Sequence, residues 1–257
     1  MSNKDSISRT LLTALALCIV CSVIVSTAAV MLKPIQDVNK ALDRKRNILA
    51  AATMLDESKS IEEQFAAITT RVVDLRTGTF TEDVDPERYQ QLKAAKNPAS
   101  SQDLDDAQDI AKIGRRENYA VIYLVENVAG DYEKIILPIR GYGLWGTLYG
   151  FIALQADANT VAGLGFYDHK ETPGLGGEVD NPKWKSAWAG KQVYRDDVVE
   201  LHLIKGRVDS ANKDADWQID GLSGATLTSR GVSNLVEFWL GENGFQSFLS
   251  NLKSGEA

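Results

Sequence analysis

Hydroxyl side chains crowd one short stretch of this chain, Asp220-Gly221-Leu222-Ser223-Gly224-Ala225-Thr226-Leu227-Thr228, with Ser229 directly after it. Thr226, Thr228 and Ser229 fall between a glycine turn and a run with helical spacing. Two chemistries suit that placement. Thr228 or Ser229 can cap the helix by accepting from its first free N–H groups. Alternatively, a hydroxyl there can be esterified to a phosphate, because the exposed N–H groups and dipole of a helix start favour an anion. Thr226 stands at the threshold of that helix.

Two further stretches could meet a ligand. In His169-Lys170-Glu171-Thr172-Pro173-Gly174-Leu175-Gly176-Gly177-Glu178, the glycines and proline define a fixed loop whose backbone N–H groups can come close to a bound group. The same composition also suits a tight turn with solvated charges. Gly141-Tyr142-Gly143-Leu144-Trp145-Gly146 matches the G-x-G-x-x-G dinucleotide fingerprint. Its context fails, since Thr147 to Ala153 is aromatic and strand-like and no βαβ unit surrounds it. We read it as a glycine-rich connection between strands that presents Tyr142 and Trp145. Trp145 is then either core or a flat surface for an aromatic ligand.

The only cysteines are Cys18 and Cys21 and the only histidines His169 and His202, so a four-ligand thiolate cluster is excluded and an organic cofactor must carry any electrons. Cys18-x-x-Cys21 lies inside an apolar run and reads as packing material rather than a redox pair. Thirty-five acids against 28 Lys plus Arg give a net charge of −7, which argues against nucleic acid as a partner. Protein, membrane and small molecule remain.

These residues need elements to position them. Thr10 to Leu32 contains no charge, a span of about 23 residues that exceeds the ~30 Å hydrocarbon core and reads as a transmembrane helix. A cleaved signal peptide is the alternative, but its apolar core would be shorter. Lys33, Lys40, Arg44, Lys45 and Arg46 outnumber Lys4 and Arg9, so the positive-inside count places the body in the cytoplasm, although large domains translocate largely regardless of charge. Beyond Pro34, Asp37 to Leu55 has helical spacing. Ser60-Ile61-Glu62-Glu63 is a capping box opening a helix through Ile68. Arg71 to Leu75 reads as a strand, Asp85-Pro86 opens another helix, and Asn97 to Asp106 is a loop.

Tyr119 to Val125, Lys134 to Ile139, Thr147 to Gln155 and Val161 to Tyr167 are β-branched and aromatic runs separated by Gly and Asp turns, as expected of a largely antiparallel sheet. Pro182 to Ala189, Ser229 to Leu240 and Gly244 to Leu252 are candidate helices. The expectation is an α+β chain: a tail (1–9), a transmembrane helix (10–32), a membrane-proximal helical or mixed region (33–118) and a soluble domain with a largely antiparallel sheet flanked by helices (119–257).

Asp220-Gly221-Leu222-Ser223-Gly224-Ala225-Thr226 resembles the D-x-x-[ST]-G-A-[ST] flavinylation motif of FMN-binding domains. With GYGLWG, ETPGLGGEV and the N-terminal anchor, the whole chain resembles the C-subunit family of sodium-translocating NADH:quinone oxidoreductases. The resemblance is strongest from Pro138 to Leu240. It implies that Thr226 carries FMN through a phosphoester, installed by a separate flavin transferase that uses FAD and magnesium. Ser223, Gly224 and Ala225 would shape the attachment loop, with Leu227 and Thr228 also at the cofactor. Glu171, Thr172, Gly174, Leu175 and Gly176 would line the flavin, with Trp145 close to it. It also implies a bacterial inner-membrane location, a periplasmic flavin domain contrary to the charge count, and the other proteins of the complex as partners. The flavin would act as an electron relay in a complex coupling NADH oxidation by ubiquinone to sodium export, while the isolated chain would not oxidise NADH. Rival readings are the flavin protein of an Rnf-type complex, a non-redox tethered binding or assembly module, and a free-standing flavin reductase.

Overall fold

The computed structural model describes residues 7–257, so residues 1–6 of the expected tail lie outside the described residues. The chain divides into two units with the boundary between Asp43 and Arg44. The first unit consists of helix; α1 spans Ile7–Ala51, and its apolar side chains up to Val38 are exposed. By length and composition α1 can cross a membrane. The separate helix expected after Pro34 is instead a continuation of α1, with Pro34 inside it. Proline removes one backbone bond there, and the helical turns on either side supply the rest.

In the second unit the helical end is fixed by its cap. Thr53 adopts a left-handed conformation (φ 56°), and Thr53 N–H and Met54 N–H return to the carbonyls of Ala50 and Leu49 at 3.0 and 2.8 Å. This is a Schellman closure without glycine, and it stops the helix at Ala51 rather than at the expected Leu55. Helix α2 (Ile61–Phe65) starts at the expected cap, where Ser60 Oγ accepts from Glu63 N–H at 3.2 Å. It ends before Ile68, which opens strand β1 (Ile68–Asp74).

Next come β2 (Thr79–Thr81), α3 (Gln91–Ala94), β3 (Ser101–Asp103) and β4 (Arg115–Glu117). The helix expected from Asp85-Pro86 is a single turn: Tyr89 N–H reaches Asp85 O at 2.9 Å, and the Tyr89 hydroxyl then donates to the Tyr119 carbonyl at 3.0 Å. Anchoring Tyr89 there overrides the local helix signal. The expected loop from Asn97 to Asp106 contains a 3-10 turn and β3.

Strands β5 (Tyr119–Glu126), β6 (Tyr132–Tyr142), β7 (Thr147–Gln155) and β8 (Val161–Asp168) complete a six-stranded antiparallel sheet of order β2-β1-β5-β6-β7-β8. β1 pairs with β5 along its full length, so residues on both sides of the expected 118/119 boundary share one sheet. The strand runs look almost continuously apolar because both faces are covered. Ile122, Leu124, Ile135, Leu137 and Ile152 face one core. Val121, Tyr123, Ile136, Phe151 and Ala153 alternate toward a second, which includes Ile48 and Leu49.

After β8 the chain forms α4 (Pro182–Ser186), the short ladders β9 (Tyr194–Arg195) with β10 (Val198–Val199) and β11 (His202–Leu203) with β12 (Gln218–Ile219), then α5 (Thr226–Leu240) and α6 (Gln246–Ser254). α5 buries Val232, Leu235, Val236, Phe238, Trp239 and Leu240 in the first core. Its far end is pinned by Trp239 Nε1–H donating to the Arg140 carbonyl at 2.7 Å. At its near end Gly231 lets the helix backbone approach the Tyr142 carbonyl so closely that a Cβ would collide with it. The start of α5 is thereby held against the β6–β7 connection.

Candidate functional site

Thr226 is the first residue of α5, and its side chain is exposed. The preceding residue, Ala225, provides no side-chain cap, so the first N–H groups of the helix lack carbonyl partners four residues back. The expected capping by Thr228 or Ser229 does not occur. Because the helix starts at Thr226, both hydroxyls lie inside its first turn and bond elsewhere. Ser229 Oγ accepts from Leu222 N–H at 3.0 Å, closing the loop before the helix, and Thr228 Oγ1 donates to Glu171 Oε2.

The loop from Asp220 to Ala225 owes its shape to two glycines. Gly221 passes so close to the Ile204 carbonyl that no side chain fits, and Gly224 takes φ +71°. Asp220 is tied by its Oδ1 to Val208 N–H at 2.8 Å and by its carbonyl to Trp184 Nε1–H at 2.9 Å.

Glu171 joins the other two motifs to this helix. It is only 5% exposed, and its Oε1 accepts from both Leu144 N–H and Trp145 N–H at 3.0 Å, while Oε2 takes the Thr228 hydroxyl. A Cβ on Gly143 would stand 2.5 Å from Oε1, and one on Gly176 2.6 Å from Oε2. The glycines of both motifs therefore make room for one carboxylate. The fingerprint-like stretch is the β6–β7 hairpin, closed by Gly143 N–H to Gly146 O at 2.9 Å, in agreement with the strand-connection reading. Behind Glu171, His169 Nε2 lies 2.8 Å from Asp180 Oδ2 and His169 Nδ1 accepts from Glu171 N–H at 3.2 Å.

Around this hub, apolar groups face solvent: Trp145 is 63% exposed, Leu227 51% and Leu175 44%. Leu175 Cδ2 lies 3.0 Å from where a Gly224 Cβ would be, so the 171–178 loop touches the 220–225 loop. Thr172 and Gly174 are exposed beside it, and Gly176 and Ala225 are buried.

Thr226 also lines a cleft of about 970 Å³. Ser223, Gly224 and Thr226 line it, whereas Trp145, Glu171, Thr172, Gly174, Leu175, Gly176, Leu227 and Thr228 do not. Its walls carry Lys183, Lys205, Arg207 and Arg230, none of which the sequence reading singled out. Arg230, one helical turn after Thr226, was the accessible signal; Lys183 comes from α4, and Lys205 and Arg207 from the loop after β11. Among the described residues no group of three or more His, Cys, Asp or Glu is arranged to hold a metal. An exposed hydroxyl, an uncapped helix start, nearby cations and an exposed indole with two leucines form a donor set that fits riboflavin phosphate.

Residues 143–241, which include Trp145, the Glu171 loop, the 220–225 loop and the four cations of the cleft, match the family described as FMN-binding domain. Over their full lengths this chain and the C subunit of the Na(+)-translocating NADH-quinone reductase of Pseudomonas aeruginosa are 55% identical. The same protein of Yersinia pestis is 46% identical, over 98% of this chain and 96% of that one. The chain belongs to the C-subunit family of Na(+)-translocating NADH-quinone reductases. Within that family the crystal structure of Shewanella oneidensis NqrC superposes with a TM-score of 0.77 at 35% identity, covering 84% of this chain and 99% of that one. The C subunit from Parabacteroides distasonis gives a TM-score of 0.66 at 27% identity, over 85% and 97%. This chain has a long apolar N-terminal helix, then a domain with a mostly antiparallel sheet and helices, and the solved relatives superpose on 84–85% of it.

Proposed function

We propose that this chain carries FMN covalently, through a phosphoester to Thr226, and relays electrons between other proteins of a membrane complex that couples NADH oxidation by ubiquinone to sodium export. The observation that carries the reading is the position of Thr226, exposed at the first turn of an uncapped helix and lining a cleft with four cations, while the exposed Trp145, Leu175 and Leu227 lie outside that cleft.

In this reading Ser223, Gly224 and Ala225 set the attachment loop, and the free N–H groups of Thr226, Leu227 and Thr228 meet the phosphate. Trp145, Leu175 and Leu227 offer an apolar platform to an aromatic ring, bordered by Thr172 and Gly174. Glu171 and Gly176 lie beneath and hold that platform to α5. When bound, FMN supplies reversible electron uptake and release; the chain's own residues bind and orient it. Covalent linkage removes loss by dissociation and keeps the ring at an effective concentration of order millimolar near its platform. That matters most on the periplasmic side, where this reading places the flavin domain. A separate flavin transferase installs the group, and the isolated chain does not oxidise NADH.

The test is co-expression with a flavin transferase, followed by denaturing electrophoresis and peptide mass measurement. The wild-type band fluoresces and the peptide containing Thr226 gains the mass of FMN less water; Thr226→Val shows neither. A fluorescent Thr226→Val band would reject the assignment.

A further inference from the structure

The cleft beside Thr226 is more cationic than its proposed product requires. Lys183, Lys205, Arg207 and Arg230 converge on it in a chain whose net charge is −7. All four side chains are exposed, and among the described residues none forms an ion pair. The acids on its walls are Glu178 and Asp220. Asp220 is already engaged by Val208 N–H, and Glu178 Oε2 accepts from Asn181 Nδ2 at 2.7 Å. Ser223 and Thr226 lie on the same wall. Four cations and two carboxylates leave the cleft at a net +2, and a phosphodiester on Thr226 would bring it a single negative charge.

Chemistry supplies a more highly charged visitor. A phosphomonoester such as FMN is not activated: attack by an alcohol on its phosphorus would have to expel hydroxide or oxide. The flavin phosphate must arrive as an anhydride, whose second phosphate is a competent leaving group. A flavin dinucleotide meets that requirement with a diphosphate.

We propose that the cleft lined by Lys183, Lys205, Arg207 and Arg230 is an anion subsite for the diphosphate of a flavin dinucleotide donor, occupied while Thr226 is loaded. This rests on the reading of Thr226 as the flavin acceptor. Thr226 Oγ forms a bond to the flavin-side phosphorus, and the bond from that phosphorus to the bridging oxygen breaks. The hydroxyl proton passes to a base of the transferase. The nucleoside monophosphate leaves with the bridging oxygen and its electron pair. Lys205, Arg207 and Arg230 offset the charge that develops on this departing group. The exposed Trp145, Leu175 and Leu227, which lie outside the cleft, receive the flavin, and the cleft that Thr226 lines receives the phosphates.

To test this, the full-length chain is produced without transferase, held in detergent, and titrated with FAD, FMN and riboflavin by flavin anisotropy, with pyrophosphate as competitor. FAD binds more tightly than FMN, and FMN more tightly than riboflavin. Pyrophosphate displaces FAD. The double variant Lys205→Gln/Arg207→Gln, both exposed positions, weakens FAD about tenfold, as expected for two partly screened phosphate contacts. With transferase present, it also needs about tenfold more FAD for half-maximal gain of mass at Thr226. Equal binding of FAD and riboflavin, no FAD binding in the millimolar range, or a double variant unchanged in either assay overturns the proposal. If wild type gains no mass at Thr226, the acceptor reading fails whatever the cleft binds. If it gains mass and the double variant does so with the same FAD dependence, only the cleft proposal fails.

Discussion

Burying a carboxylate costs several kcal/mol unless its oxygens are satisfied, and Glu171 is satisfied wholly by neutral donors from two distant segments. Glu171→Ala strands two backbone N–H groups and the Thr228 hydroxyl, and lowers unfolding free energy by about 3 kcal/mol in denaturant titration. Glu171→Gln keeps one oxygen for the two N–H groups and turns its amide toward Thr228, so it costs about 1 kcal/mol. A second carboxylate responds to pH. The hydrogen bond from Arg76 holds Asp74 below the usual carboxylate range, against the opposing effect of burial. A lowered folded-state pKa stabilises above the unfolded value of about 4 and is lost as pH falls through the folded one. Asp74→Asn therefore lowers Tm at neutral pH, and its deficit against wild type shrinks as the pH is taken below that of the unfolded carboxyl. At this scale the sequence was readable for position: it set Thr226 at the threshold of a helix, where it stands. It was not readable where a residue's role depends on long-range partners: nothing near Glu171 in the chain shows that Trp145 N–H and Thr228 will meet it.

Among the elements, the four long strands were legible because β-branched and aromatic residues run unbroken between turn residues; burial on both faces produces that pattern. Helix ends were less so. α1 stops at a left-handed threonine where a glycine would have announced the cap, and α5 begins earlier than its apolar stripe because Thr226 and Leu227 face solvent. The sheet also meets the end of α1 at one tight point. A Cβ on Gly163 of β8 would collide with the Ala51 carbonyl, a backbone atom that cannot rotate away. Gly163→Ala is expected to cost about 1 to 3 kcal/mol, read as a fall in Tm, while Gly165→Ala, where a Cβ meets nothing, changes it little.

For the molecule as a whole, the second unit starts at Arg44 and needs the residues that follow it. Ile48, Leu49, Ala51 and Ala52 are buried against the sheet face formed by Val72, Val121, Tyr123 and Phe151. A soluble chain beginning at Arg44 is expected to stay monomeric and fold cooperatively. One beginning at Ser60 uncovers that face and elutes as aggregate on size exclusion. The architecture also limits how the proposed carrier can work. Thr226 opens a core helix whose far end is pinned through Trp239, so the group it holds has no long flexible tether, unlike a carrier borne on a lysine of a mobile domain. Its travel ends with the ribityl chain. On the proposed reading, charge is exchanged with partners that come within range of this fixed terminal, not by a swinging arm.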